Sequence, residues 1–427
     1  MSRTTRTAAR ATSVALAAML LATACGRSDD SGPDKEAATL GEGPARGKIT
    51  MWSMGDADPT LEGLAKEFEK QNPDADVKIT PIPWDAAHDK LTTAIAGGNG
   101  PDVSLIGSTW MAEMAAMNGL QATPDEIKPN DFYPGQWDTT KYQDTAYGVP
   151  FVADTSVIYY RTDIAAKAGI TKPATTWDGF YQNLEAIQKT AGKQNPKLRY
   201  ASGLQTGFNA WLFWLPLVWQ SGGDIYDPQA KKFTFDTPEV AQALEYYGKI
   251  FKNKMAPTDQ TDGQQGFHDG LIATLQQGAS VGGNLHKDSP ELDAKWQTMA
   301  LPANKTSAGL AGGSDLAVFK SSDNKDAAWK FVRFLTDAKN LASYGAGTGQ
   351  LPAAPGAWSD PRLAQNTKLA PFRDQLKVTK APPAITTWQQ IGSTIDSELE
   401  KLALGKATPA DVQKALQSKA TSIGIGR

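Results

Sequence analysis

The chain has little of what metal, redox and nucleic-acid chemistry require. Among 427 residues there are one cysteine, Cys25, and three histidines, so paired Cys/His spacing and an HExxH helix are both absent. These absences argue against a transition-metal site. Lys and Arg number 43 against 46 Asp and Glu, and such a balance lacks the basic footprint of nucleic-acid binding. We therefore expect no metal, no cofactor and no nucleic-acid partner.

Long apolar runs are also missing. The most apolar stretch near the start, Val14 to Ala22, has nine residues, too few to span the ~30 Å of hydrocarbon in a bilayer. It follows Arg3, Arg6 and Arg10 with no acidic residue before it. This order, closed by small residues, is typical of a secretory signal peptide. Residues 1–24 are therefore predicted to be cleaved.

The single cysteine closes this leader. Residues 21–26, Leu-Ala-Thr-Ala-Cys-Gly, resemble the lipobox of bacterial lipoproteins, with Ala22 where those sequences usually carry leucine. The resemblance implies that Cys25 is lipidated, which places the protein on the extracellular face of the cell membrane, or the periplasmic side if an outer membrane exists. Residues 25–47 contain few large apolar side chains and are predicted to be a flexible tether with a reach of roughly 25 Å.

The remaining chain is too long for one hydrophobic core. Its roughly 380 residues exceed the size at which one core stops growing, so two domains are expected. From residue 48 three strand–helix units follow one another, with strands at 48–52, 76–82 and 102–106. Such units favour a parallel sheet covered by helices. Binding residues are then expected after the strands, at 53–56 and 107–110.

Residues 147–161 break this rhythm. Their aromatic and β-branched side chains predict two extended segments that meet at Ala153-Asp154, which suits a strand crossing between domains. Mostly helical sequence follows, and strands return near 296–301 and 310–319. The order implies two discontinuous α/β lobes joined by several strands.

Seven short motifs along the chain resemble those of a known family. The motifs Met51-Trp52, Gly100–Val103, Tyr147–Pro150, Val157–Asp163, Gly222–Asp224, Gly312–Ser314 and Ala327–Phe331 occur in the order seen in family 1 extracellular solute-binding proteins. Over residues 48 to about 423 the chain is similar to the carbohydrate receptors of ABC importers, the maltose-binding protein group in particular.

The resemblance implies a two-lobed periplasmic-binding-protein-like fold of type II, each lobe a mixed, mostly parallel sheet flanked by helices, with a hinge between the lobes. Lobe 1 is expected at 48–152 and about 302–352, and lobe 2 at about 153–301 and 353–427. The implied protein is a monomeric, non-enzymatic receptor. By hinge closure it captures a disaccharide or short oligosaccharide, such as an α-glucoside, and delivers it to a membrane permease.

The resemblance also implies binding residues. Asp56 and Asp154 match acids that bind sugar in the maltose group, and Asn284 stands where that group has tryptophan, so this subsite should differ. Aromatic platforms are expected at Trp211 and Trp388. The full candidate set is Asp56, Trp110, Asp154, Trp211, Trp214, Asn284, Gly313, Ser314 and Trp388. Thr386 and Thr387 are expected to cap the helix that Trp388 opens.

Two other functions stay open. An exported glycoside hydrolase could use Asp56 and Asp154 as acid and base, and a receptor for a polyol phosphate or another non-sugar solute could share the fold. Residues 278–282 also spell GxSxG, but 267–277 is predicted as helix and 281–284 as strand or loop, which is not the strand–turn–helix order that a serine nucleophile needs.

Overall fold

Two β-sheets, each with its own covering helices, organise the computed structural model, which describes residues 37–259 and 262–426. The predicted signal peptide, Cys25 and the first part of the predicted tether lie outside these residues. A larger hydrophobic core surrounds the six-stranded sheet and continues onto one face of the four-stranded sheet. A second core fills the other face of the four-stranded sheet. We call the six-stranded sheet with its covering helices the first lobe, and the four-stranded sheet with its covering helices the second lobe.

The strands in the described residues are β1 (Gly47–Met54), β2 (Ala75–Ile82), β3 (Val103–Gly107), β4 (Lys141–Tyr142), β5 (Thr145–Ala146), β6 (Val149–Asp154), β7 (Val157–Arg161), β8 (Tyr200–Ser202), β9 (Tyr226–Asp227), β10 (Lys232–Phe233), β11 (Ile272–Gln277), β12 (Trp296–Met299), β13 (Gly309–Leu310), β14 (Gly312–Val318), β15 (Leu351–Pro352) and β16 (Thr379–Lys380).

The α-helices in the same residues are α1 (Pro59–Gln71), α2 (Trp84–Gly97), α3 (Met111–Ala116), α4 (Pro134–Thr139), α5 (Thr162–Lys167), α6 (Trp177–Gln188), α7 (Trp211–Gln220), α8 (Pro238–Lys252), α9 (Gly263–Asp269), α10 (Ser280–Asp288), α11 (Lys325–Leu335), α12 (Ala338–Thr348), α13 (Pro361–Ala364), α14 (Ala370–Leu376), α15 (Trp388–Ala403) and α16 (Pro409–Ile423). Short 3-10 helices lie at Pro129–Asp131, Pro290–Lys295 and Pro355–Ser359.

The first strand–helix units form as the sequence predicts. Asp58 accepts hydrogen bonds from the backbone N–H groups of Thr60 and Leu61 and so begins α1, because an N-cap carboxylate satisfies donors that the helix leaves free. The helix ends at Asn72 before Pro73. Strands β1, β2 and β3 pair in parallel, which brings their carboxyl ends to one edge of the sheet.

The sheets are mixed, as expected, but parallel pairing does not dominate. The first sheet has the order β15-β6-β14-β3-β1-β2, with antiparallel pairing from β15 to β3. The second has the order β12-β7-β11-β8, where only β11 and β8 are parallel within the described residues. Parallel neighbours need a crossover connection. Strand β14 instead enters the first sheet from the other lobe, in the opposite direction.

The chain passes between the lobes at short extended crossings. Strand β6 ends at Asp154 in the first sheet, and β7 begins at Val157 in the second, so the predicted crossing at Ala153-Asp154 is confirmed. A return crossing joins β13 to β14 through Ala311. Beside it, β13 pairs with β16.

The predicted boundary at residue 353 falls too early. The 3-10 helix Pro355–Ser359 and α13 pack against α12, which itself packs on α1 and α11 of the first lobe. Helix α14 contacts the second sheet at β7. Helix α12 also continues to Thr348, into a stretch that the glycines of 345–349 suggest is a loop.

The second half of the predicted tether is not free. The backbone N–H of Gly41 donates to Asp326 (2.6 Å), and that of Ala45 donates to Asn72 (2.8 Å). Ala45 is fully buried. Residues 37–46, which we call the strap, therefore lie on the first lobe. Side chains of that lobe accept hydrogen bonds from backbone N–H groups of the strap, which forms no helix or long strand of its own.

Candidate functional site

Four of the predicted binding residues meet at one edge of the first sheet. Asp56 follows the end of β1, and Ser314 of β14 lies opposite Gly107, the last residue of β3. On the other side of β14, Gly312 lies opposite Asp154 and Gly313 opposite Ala153. The strand register therefore places Asp56, Asp154, Gly313 and Ser314 along the same edge of the first sheet. This edge lies next to the segments that pass to the second lobe.

Two glycines shape the backbone of this edge. Gly313 has φ +122°, and a Cβ there would lie 1.9 Å from the carbonyl oxygen of Val152, so no other residue fits without moving the strand. A Cβ at Gly107 would lie 3.2 Å from the Trp110 ring. The Ser108 N–H donates to the Gly313 carbonyl (3.1 Å), which fixes the turn that carries Trp110.

Trp110 belongs to an aromatic cluster. Its ring meets Trp84 edge to face, with centroids 5.7 Å apart, and His88 at 5.3 Å. His88 Nε2 lies 3.0 Å from a Glu113 carboxylate oxygen. Trp84 is 45% exposed, and its Nε1 is 3.6 Å from the Cβ position of Gly55, the residue before Asp56.

Trp84 is absent from the candidates chosen on sequence. A signal for it exists, because Trp84 follows β2, the parallel neighbour of β1. The rule that ligand groups lie after parallel strands covers this position as well as the ends of β1 and β3. Trp84 and Trp110 together offer apolar ring surface beside Asp56.

Asp154 occupies the crossing between the lobes. A Cβ at Gly278, after β11 of the second sheet, would lie 2.7 Å from an Asp154 carboxylate oxygen. The side chain keeps exposed surface, yet protein from both lobes surrounds it, and this desolvation raises the pKa of Asp154 to about 6 because burial disfavours the charged form. The backbone N–H of Thr155 partly offsets the shift.

The facing edge of the second lobe is formed by the ends of β8 and β11. Helix α10 begins at Ser280, directly after β11, and carries Asn284 as an exposed side chain. The predicted helix at 267–277 and strand or loop at 281–284 are wrong. Residues 272–277 are a buried strand, whose β-branched and apolar start pairs with β7 and β8.

Trp211 and Trp388 form one contact in the second lobe. Their rings meet at 85° with centroids 5.0 Å apart, and they are only 8% and 2% exposed. A Cβ at Gly392 would lie 3.2 Å from Trp211 Nε1, so α15 approaches this ring closely. Each indole thus shows little surface in this conformation.

Trp388 also faces the first lobe. A small cavity of about 20 Å³ beside its ring is lined by Thr109 and Thr139 of the first lobe and by Pro383 of the second. Gln389 Nε2 donates to Thr109 Oγ1 (3.4 Å), which joins the two lobes.

The predicted caps of α15 are wrong. The Thr386 and Thr387 hydroxyls donate to the carbonyls of Ile425 and Gly424 instead. Both hydroxyl groups are therefore bonded to the C-terminal end of the chain and do not cap α15.

Trp214 is not available to a ligand in this structure. It is fully buried, and its ring stacks on Phe235 with centroids 6.4 Å apart. The helical spacing of Trp211, Trp214 and Trp219 turns Trp214 towards the core of the second lobe. We therefore leave Trp214 out of the candidate site.

Phe208 is the exposed aromatic of this lobe and was not among the candidates. It is 85% exposed in the loop between β8 and α7. Asp396 holds the loop, because its carboxylate accepts the N–H groups of Asn209 (2.8 Å) and Trp211 (2.9 Å). An exposed ring on an anchored loop after a strand is typical of a ligand contact.

The GxSxG segment does lie on a strand–turn–helix, contrary to prediction, but no histidine serves Ser280. His268 lies between Asp269 (2.7 Å) and Ser289 (2.6 Å), and His286 pairs with Asp293. A serine nucleophile needs a base within hydrogen-bond reach. The described residues thus assemble no triad on Ser280.

Within residues 37–259 and 262–426, no cluster of three or more His, Cys, Asp or Glu side chains could hold a metal ion. No helix in this part of the chain is long and apolar enough to cross a membrane.

Several known proteins are similar to this chain. The sequence model of the bacterial extracellular solute-binding protein family matches residues 52–342. The diacetylchitobiose binding protein DasA of Streptomyces coelicolor is 27% identical over 424 residues, which cover 95% of this chain and 96% of that protein. A putative binding protein of Brucella abortus is 27% identical over 378 residues, or 86% and 90% of the two chains.

A solved structure is similar in both fold and sequence. The sugar-binding protein MalE from Xanthomonas citri superposes with a TM-score of 0.81 at 30% identity, covering 88% of this chain and 97% of that chain. The GacH receptor of Streptomyces glaucescens, at 23% identity and a TM-score of 0.75, shares the fold over 88% and 98% of the two chains.

Proposed function

Because the chain belongs to the bacterial extracellular solute-binding protein family, we propose that it is the receptor that captures a sugar for an ABC importer. One observation carries the proposal. Where the two lobes face each other, the Asp56 and Asp154 carboxylates have no ion-pair partner in the described residues, and aromatic ring surface lies beside Asp56. DasA is described as a diacetylchitobiose binding protein and the MalE of Xanthomonas citri as a sugar-binding protein, and both support a disaccharide or short oligosaccharide as the ligand.

Each kind of side chain has a role in this binding. Asp56 and Asp154 accept hydrogen bonds from neighbouring sugar hydroxyls, and ionised acceptors make stronger hydrogen bonds than neutral ones. Trp84 and Trp110 in the first lobe and Phe208 in the second cover the apolar faces of the sugar rings. Ser314, the backbone of Gly313 and the exposed amide of Asn284 add polar contacts from both lobes.

The mechanism is hinge closure. A ligand that contacts both lobes has more interactions in the closed state than in the open state, so it shifts the population towards closure. The crossings after β6 and β13 carry the change, and Trp211 and Trp388 move with the second lobe. The closed form is what the membrane permease recognises.

Anchoring completes the proposal. Lipid on Cys25 keeps a monomeric receptor beside its permease at the extracellular face of the membrane, and the strap places the attachment on the first lobe. The second lobe then moves on closure without pulling on the anchor. Catalytic turnover of the sugar is not part of this function, since Asp56 and Asp154 act as hydrogen-bond acceptors.

Thermal-shift screening of the purified protein against neutral mono-, di- and oligosaccharides tests the proposal. A ligand that binds the native state raises the melting temperature with its concentration. We expect at least one disaccharide or oligosaccharide to do so. Stabilisation by non-sugar solutes only, with no sugar active, contradicts the proposed function.

A further inference from the structure

The candidate site carries negative charge without counter-ions. Asp154 is the clearest case, because no Lys, Arg or His lies within ion-pairing distance of its carboxylate in the described residues. The Asp56 carboxylate, exposed after β1, likewise has no hydrogen-bond or ion-pair partner in that part of the chain. Both charges therefore stay available to a ligand.

Two basic groups close to the site, His88 and Lys141, already have partners. His88, beside Trp110, lies 3.0 Å from Glu113. Lys141, which lines the cavity at Trp388, pairs with Asp138 at 2.7 Å. Both groups are already engaged by a carboxylate, so neither is free to pair with Asp56 or Asp154.

The groups facing Asp154 do not supply a cation either. Its near neighbours are the glycines at 278 and 312 and the backbone of Thr155. The titratable group that faces it is Tyr159, whose hydroxyl donates to the Gly278 carbonyl (2.8 Å) and whose pKa burial raises further above the usual range. The N-terminus of α10 contributes about half a positive charge, less than the charge of the carboxylate.

Recognition of carboxylates and phosphates depends on Arg or Lys donors, and in the described residues no Arg or Lys pairs with Asp56 or Asp154. Building on the proposed sugar-binding function, we propose that Asp154 selects ligands by charge. The cleft takes neutral sugars and sugars with a protonated amine, and it refuses sugars with a carboxylate or phosphate group. The position of Asp154 between the lobes makes this selection effective, because closure brings any bound anion towards it and removes screening water.

The test uses matched sugars and an isosteric variant. Binding of maltose, cellobiose and diacetylchitobiose, each with its uronate and its amino counterpart, is measured by calorimetry at pH 7.5 on the wild-type protein and Asp154→Asn. We expect the uronates to bind at least tenfold more weakly than the neutral sugars, and the amino sugars at least as tightly. In Asp154→Asn the ratio of neutral to uronate affinity should fall by about tenfold.

A pH series separates a charge effect from a structural one. Lowering the pH to 5 protonates Asp154, while the uronate stays ionised, so wild-type discrimination should shrink and that of Asp154→Asn should not change. Asp236→Asn, the same charge change at an exposed turn before α8, should keep wild-type discrimination.

Three outcomes overturn the inference. Uronates that bind the wild-type protein as tightly as neutral sugars remove charge selection but leave the proposed sugar-binding function intact. An unchanged ratio in a folded Asp154→Asn variant removes Asp154 as its source. If none of these sugars binds, the series is repeated with the sugar found by thermal shift, and a protein that binds no sugar of that panel contradicts the proposed function and the inference with it.

Discussion

The indole rings of Trp211 and Trp388 meet edge to face, 5.0 Å apart between centroids, and almost all of their surface is buried. The pair joins the start of α7 to the start of α15, at the part of the second lobe that faces the first. Both residues thus stabilise the lobe, whatever they contribute to a ligand.

Trp211→Ala should lower the free energy of unfolding by about 3 kcal/mol, and Trp388→Ala by a similar amount, because each leaves a cavity in place of a large ring. Residues in contact are not additive. The double variant should therefore lose less than the sum of the two single changes, as measured by urea denaturation. A strictly additive loss contradicts the contact between the rings.

Phe208→Ala should have the opposite profile. The ring is 85% exposed, so stability should change by less than about 0.5 kcal/mol. Affinity for the sugar found by thermal shift should fall by about 1–3 kcal/mol, as for other aromatic contacts at binding sites. Leu404→Ala, another exposed apolar side chain of the same lobe, is the control and should change neither quantity. Wild-type affinity in Phe208→Ala assigns the ring to another role.

Asp315 predicts a pH dependence of stability. It is buried in β14, and Thr139 Oγ1 lies 3.1 and 3.2 Å from its two oxygens. The same hydroxyl is 2.7 Å from the Gln136 carbonyl. A hydroxyl has one proton to donate, so when that proton goes to Gln136, the carboxyl must carry its own. Burial accordingly raises the pKa of Asp315 to about 8.

A folded-state pKa above the unfolded value gives stability that is complete at low pH and is lost as the pH rises through about 8. The loss cannot exceed about 1.4 kcal/mol per pH unit for one proton. Asp315→Asn should therefore flatten the fall of unfolding free energy between pH 6 and pH 9, while Asp236→Asn should not. Equal slopes in the wild-type and Asp315→Asn proteins would show that Asp315 is ionised.

The strap predicts a local effect. Asp326→Ala removes the acceptor of the Gly41 N–H, whereas Asp326→Asn keeps an oxygen at that position. Hydrogen exchange at residues 37–46 should speed up several-fold in the alanine variant and much less in the asparagine variant, because exchange reports local opening. Equal exchange in both variants contradicts a strap held by this bond.

Much of the first lobe could be predicted from sequence, and the reasons are local. Helix α1 is marked by its own signals, Asp58-Pro59 at its start and Asn72-Pro73 at its end. The two strands within 149–161 are rich in aromatic and β-branched residues, which favour strand over helix. The helix predicted at 267–277 and the strand or loop predicted at 281–284 are wrong because a short apolar run fits a buried strand as well as a helix. Pairing with β7 and β8 makes residues 272–277 a strand, and this pairing is not visible in the local sequence.

The candidate site was predicted in part for a similar reason. Asp56 and Asp154 stand at predicted strand ends, and the resemblance to the maltose group implies their role in binding. Burial depends on tertiary packing, so spacing alone could not show that Trp214 turns into the core while Phe208 stays exposed. The composition of residues 37–46 likewise gives no sign of the acceptors on the first lobe that hold them.

Calorimetric titration of the purified protein with the stabilising sugar, followed by recovery and analysis of that sugar, tests the central claim most directly. A receptor gives one saturable site per chain and returns the sugar unchanged. Absence of saturable binding, or the appearance of cleaved sugar, would contradict a receptor that captures its ligand between two closing lobes.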